Sequence, residues 1–89
     1  MEKPVIISAD IRHKQAAAYY EREMNHAIEE INREINNKSH NGKYSVKIDI
    51  DEIMARFDVN LETLCYIYNC FLKAGFEIVD ENTEWIIKW

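Results

Sequence analysis

The stretch DEIMARFDVNLETLCYIYNCFLKAG, residues 51–75, admits two readings, and the fold turns on the choice between them. Asp51 is placed to open a helical region, and Gly75 to close one as its left-handed C′ residue. Between them RFDVN, residues 56–60, looks like a break, and Asn60 can cap LETLCYIYNCFLKAG. With the break the region is two helices; without it, one. On the second segment Leu61, Leu64, Cys65, Ile67, Tyr68, Phe71 and Leu72 would form the buried face. Glu62, Thr63, Tyr66, Asn69, Cys70 and Lys73 would stay outside.

Upstream, no Gly or Pro interrupts Ala9 to about Asn36, and helix formers dominate. Ser8 or Asp10 can cap this long helix. Ala17, Tyr20, Met24, Ile28, Ile31 and Ile35 step by three and four, which is an amphipathic seam. Glu29 and Arg33 stand at i,i+4, as do His26 and Glu30, and both read as surface pairs. NNKSHNGK, residues 36–43, ends the helix as the chain's main loop. YSVKIDI, residues 44–50, alternates as a half-buried strand, with Tyr44, Val46, Ile48 and Ile50 on one face. PVIIS, residues 4–8, reads as a short strand or an anchored tail.

Downstream, GFEIVDENTEWIIKW, residues 75–89, reads as two strands, Phe76 to about Asp80 and Thr83 to Trp89, joined by a tight turn. Trp85, Ile87 and Trp89 share one face of the last strand, and Glu84, Ile86 and Lys88 the other. A chain ending on tryptophan implies a final strand pinned inside the sheet. Both faces carry apolar groups, so the face away from the helices should need cover from the N-terminal tail, a second copy or a partner. The expected fold is α+β over residues 1–89: a long N-terminal helix, then β-α(α)-β-β with a small antiparallel sheet.

Composition narrows the possible activities. Apolar content of 47% and aromatic content of 11% are those of one folded domain. No apolar run is long enough to cross a bilayer, and the start lacks a secretory pattern, so a cytoplasmic location is expected. Residues 1–50 balance eight Lys/Arg against eight Asp/Glu, and the whole net charge of −5 falls on residues 51–89. Cys65 and Cys70 lie about 140° apart around a helix and should not pair. His13, His26 and His40 do not share a face, and neither His-x-x-x-His nor Cys-x-x-Cys occurs. No glycine-rich phosphate loop or activated nucleophile is visible. No catalytic, cofactor-binding or metal residue is therefore named, and a non-enzymatic protein is expected.

Two resemblances attach to particular residues. IDEIMARFDVNLETLCYIYNCFLKAGFEIV, residues 50–79, resembles a helix-turn-helix running into a wing if the break at 56–60 is real. That winged-helix resemblance implies a DNA-reading segment at Leu61–Ala74, with Lys43, Lys47, Thr63, Asn69 and Lys73 as contacts. The charge opposes it. The segment offers one lysine against one glutamate and no arginine, and the DENTE turn would repel phosphate. The second resemblance is to small bacteriophage-encoded α+β proteins with a G-x-x-S-V-x-I strand and a closing W-x-I-x-W strand. Gly42, Ser45, Val46, Ile48, Leu72, Gly75, Phe76, Trp85, Ile87 and Trp89 carry it, with Val79 one place off. It implies a viral protein in the host-cell cytoplasm, either an inhibitor of a host system or a virion accessory piece.

The expected mode of action is protein–protein contact through aromatic surface. Tyr19, Tyr20 and Met24, with the Ile28–Ile31–Ile35 seam, supply one area; Tyr66, Trp85 and Trp89 supply another. A basic or nucleic-acid-binding host protein would suit the acidic C-terminal part. A homo-oligomer is expected, nucleic acid is the weaker alternative, and no membrane is involved.

Overall fold

A computed structural model describes residue 4 and residues 6–89. The order is α1 (Ala9–His40), β1 (Ser45–Asp49), α2 (Ile50–Arg56), α3 (Leu61–Lys73), β2 (Glu77–Glu81) and β3 (Glu84–Lys88). The fold is α+β, and the break in residues 56–60 is present. Asn60 makes it: its side chain accepts from the Thr63 N–H at 2.8 Å and starts α3 afresh. Val59 tucks into the core behind the break.

Two helix boundaries differ from expectation. α1 runs on through residues 36–40, because side chains satisfy its last carbonyls. Asn41 Nδ2 donates to the Asn37 carbonyl at 2.9 Å, and His40 Nδ1 lies 2.8 Å from that of Asn36. Only then does Gly42, at φ +74, turn the chain. His40 is thus helical rather than in a loop. At the other boundary Asp49, not Asp51, caps α2, accepting from the Glu52 N–H at 3.2 Å.

The three strands form an antiparallel sheet in the order β1-β3-β2, so the final strand is central. It pairs along both edges, with Val46 and Ile78 opposite Ile87, and Ile48 and Asp80 opposite Trp85. The Trp89 N–H adds a bond to the Tyr44 carbonyl at 2.9 Å. Asn82, at φ 57, makes the two-residue hairpin turn with Thr83. The inner face buries Val46, Ile48, Trp85 and Ile87 against Ala27, Ile31 and Ile35 of α1, Ile50 and Ile53 of α2, and Leu64, Ile67 and Phe71 of α3. Each of the larger side chains stabilises the fold by about 1.5–3 kcal/mol.

The outer face of the sheet does not need the cover expected for it. Its only apolar members are Val79 and Ile86, directly paired and flanked by Lys47. Ile6 of the N-terminal tail is 92% exposed and covers nothing; Val5, the second residue of PVIIS, lies outside the described residues.

The molecule is long. Its principal extents are 67 × 24 × 23 Å and its radius of gyration is 17.4 Å, against about 12 Å for a compact chain of this length. The cause is α1. Its C-terminal half packs on the body through Ala27, Ile31 and Ile35, while every residue from Ala9 to Arg22 is exposed. Glu30 fastens the packed half: it accepts from Arg33 at 2.9 Å and from Arg56 of α2 at 3.2 Å. Glu30 thus takes the arginine expected to pair with Glu29, and it reaches across to α2 instead of pairing with His26.

Candidate protein-interaction face

α3 and the β2–β3 hairpin diverge enough to leave a groove of about 430 Å3 between them, lined by Ile50, Leu61, Leu64, Cys65, Tyr68, Asn69, Asp80, Asn82 and Trp85. Its floor follows from the core. Trp85 is 5% exposed and meets the Tyr68 ring edge-on at 5.5 Å. The Tyr68 hydroxyl reaches the Ile78 carbonyl at 3.4 Å, tying α3 to β2. These contacts hold the two walls apart at a fixed spacing.

The outer wall departs from expectation. Leu61, assigned to the buried face by periodicity, is 72% exposed, and Cys65 and Leu72 are exposed with it. The packed stripe of α3 is narrower, consisting of Leu64, Ile67 and Phe71 with Tyr68 half-buried. Leu61 opens the helix, where the chain is rising out of the break, and nothing packs over it. Tyr66 is exposed on α3, while its neighbour Tyr68 turns inward.

The rim of the hairpin is acidic. Register places Asp49, Glu84 and Glu81 in one row across the three strands on the outer face, with Glu84 between the other two. Asp80 lines the groove itself. Like charges directly opposite each other cost stability, so this row is not there to hold the sheet.

The residues put forward for DNA do not assemble. Thr63, Asn69 and Lys73 lie along α3, and only Asn69 lines the groove. Lys47 lies on β1, in a shallow cleft of about 240 Å3 that also holds Glu30, Glu34, Asp49, Glu52 and Arg56. Lys43 follows α1, with its N–H bonded to the Lys38 carbonyl at 2.9 Å. Arg33 and Arg56 are both engaged by Glu30. The cations are dispersed and partly neutralised rather than gathered in one ridge.

The residues put forward for protein contact divide three ways. Trp85 is core rather than open surface, a correction that follows from its place on the inner face of the central strand, and it shows only an edge at the floor of the groove. The Ile28–Ile31–Ile35 seam is likewise packed against the body. Trp89 and Met24 are half-buried, Trp89 edge-on to Phe76 at 6.3 Å. Tyr19, Tyr20 and Tyr66 are open. Tyr19 donates to Asp58 at 3.3 Å, and its phenol is raised above the ordinary range, first by partial loss of water and then by the charges of Asp58 and Glu23.

No family model, curated protein or solved structure matches the chain.

Sequence reasoning missed the groove. Its lining comes from α2, α3 and the hairpin, and Leu61 and Cys65 fall at spacings that read as core. The one available signal was an excess of apolar positions on α3 over what a helix on one sheet face can bury. Among the described residues no group of three His, Cys, Asp or Glu is arranged to hold a metal, and no helix is long and apolar enough to cross a membrane.

Proposed function

We propose that this chain acts by binding another protein through the groove between α3 and the β2–β3 hairpin, as a small non-enzymatic binder of the kind its phage-type sequence pattern implies. The occupant that fits is a basic segment carrying an apolar anchor. The anchor would sit against Leu61, Leu64, Tyr68 and Trp85, and the flanking cations would meet Asp80 in the groove, with Glu81 and Glu84 adding negative charge from the outer face of the same hairpin. The supporting observation is an apolar floor beside a carboxylate rim. Charge of that sign speeds encounter with a cationic partner and rejects phosphate.

A winged-helix DNA regulator is the second reading, favoured by element order and by the β1-β3-β2 strand order. In that arrangement α3 would be the recognition helix and the hairpin the wing. The same two elements carry Glu62, Glu77, Asp80, Glu81 and Glu84 against Lys73 and Lys88. A protein that neutralises phosphates needs the opposite balance.

Binding to a labelled duplex and to a basic amphipathic peptide, each measured by fluorescence anisotropy across a salt series, separates the two. Peptide binding that weakens with salt and is lost in Leu61→Asp, with no response from the duplex, is the expected result. Duplex binding with a steep salt slope, unaffected by Leu61→Asp, would overturn it.

A further inference from the structure

The free half of α1 is a second surface, independent of the groove, and we infer that it pairs antiparallel with the same segment of a second copy. From Ala9 to Arg22 every residue of this helix is exposed, Tyr19 and Tyr20 at 41% and 52%, and its hydrogen bond to the body is the one from Tyr19 to Asp58 near the junction. Isolated helices of about 14 residues are marginal in water, so a stretch this long standing clear of its own body calls for a partner.

The row that enters the core as Met24, Ala27 and Ile31 continues outward through Tyr20, Ala17 and His13 at steps of three and four. On that outer continuation nothing among the described residues covers it. Alanines at 16 and 17 beside Tyr20 let a second helix approach closely and take the ring between its own turns.

Charge selects the occupant and its direction. Arg12 and Glu23, eleven residues apart, fall within about 20° of each other on one flank of the row. Lys14 and Glu21, seven apart, fall within about 20° of each other on the other flank. A two-fold axis between Ala17 and Ala18 sets Arg12 opposite the second copy's Glu23, and Lys14 opposite the second copy's Glu21. The same axis sets His13 between the second copy's Tyr20 and Met24. Glu23 already accepts from the Asp58 N–H at 3.4 Å, so the incoming Arg12 meets two carboxylates there. A parallel pair would instead align cation with cation and anion with anion. The helix is thus complementary to itself only under a two-fold, which is the symmetry of most dimers.

The overlap ends close to Met24, where the body begins, so each copy contributes a segment of roughly 21 Å. An interface this small belongs to the class below about 1,200 Å2, for which micromolar dissociation is expected.

Sedimentation equilibrium of the full chain from about 1 to about 100 µM tests this across the range where such dimers dissociate. The wild type is expected to move from monomer to dimer. Tyr20→Glu should weaken the dimer by about tenfold or more, equivalent to roughly 1.4 kcal/mol, with the circular dichroism of the folded body retained. Arg12→Glu with Lys14→Glu should weaken it similarly, and adding Glu21→Lys with Glu23→Lys should restore it. In a Cys65→Ser, Cys70→Ala background, Ala17→Cys should oxidise to a disulfide-linked dimer, while Asp10→Cys should not. A monomer throughout the range, a dimer indifferent to both charge sets, or cross-linking at position 10 rather than 17 would overturn the inference.

Discussion

Replacing Trp85 with alanine separates the core tryptophan from the terminal one. Trp85 is 5% exposed on the central strand, edge-on to Tyr68 at 5.5 Å, and it floors the groove. Truncating a buried tryptophan costs about 3–5 kcal/mol, because the surroundings close only part of the cavity. At roughly 0.05–0.15 kcal/mol per residue, a domain of this length has about 4–13 kcal/mol in total. Trp85→Ala should therefore remove about a quarter of the stability or more, and lower the melting temperature by at least about 12 °C. Trp89→Ala is the control. That side chain is half-buried against Phe76, and its backbone N–H to Tyr44 survives the substitution. Its cost should be about 1–2 kcal/mol. Urea unfolding followed by circular dichroism reads both, with the slope as a check that the two variants unfold the same structure. Equal costs for the two tryptophans, or less than about 1.5 kcal/mol for Trp85 at unchanged slope, would refute the packing of α3 on the central strand.

Two further predictions concern single side chains. Asn60→Ala should cost about 1 kcal/mol by chemical denaturation while Asn60→Asp stays near wild type, since aspartate also accepts the Thr63 N–H. The Tyr19 phenol should ionise above the ordinary phenol range in an alkaline absorbance titration, and Tyr19→Phe should delete that step. The sign follows from proton linkage. A phenol that holds its proton more tightly when folded contributes stability below about pH 10, and that contribution is lost as pH rises through the folded value.

The fold was largely legible in the sequence, for local reasons. Asn60 and Gly75 bracket α3 whatever surrounds them, and the period-two run ending in Trp89 requires a paired strand. The alternation of Val46 with Ile48 fixes which face of β1 is buried. The end of α1 was harder to place. Asn36 and Asn37 look like loop residues, yet their carbonyls are taken by His40 and Asn41, so α1 continues to His40. Periodicity also overstated the core. It counts Leu61 and Cys65 as inward because they fall at the right angles, but burial depends on whether another element lies over them. The groove exists because the hairpin diverges from that part of α3, and spacing along one chain cannot encode the absence of a neighbour.

The charge asymmetry read from the sequence acquires a direction in three dimensions. Strand register gathers Asp49, Glu84 and Glu81 into one row at the hairpin end, and leaves Lys88 opposite Ser45 and Glu77 at the other. α1 ends beside that second end with Lys38 and His40, and Lys43 follows them. The body is therefore polarised along its strands, acidic beside the groove and basic where α1 finishes. A polyanion would be drawn to that second end, where a separate cleft of about 410 Å3 is lined by Tyr44, Ser45, Gly75, Glu77, Lys88 and Trp89, and a cationic protein to the end that carries the groove between α3 and the hairpin. Reversing the row by Glu81→Lys with Glu84→Lys should cancel binding of a basic peptide without disturbing the fold. Both residues lie on the exposed face, and although the pair they form with each other stays like-charged, the cation at position 84 then faces Asp49 and relieves the repulsion on that side. If the reversed protein binds the basic peptide as well as the wild type does, the apolar floor alone accounts for recognition, and the acidic row plays no part in choosing the partner.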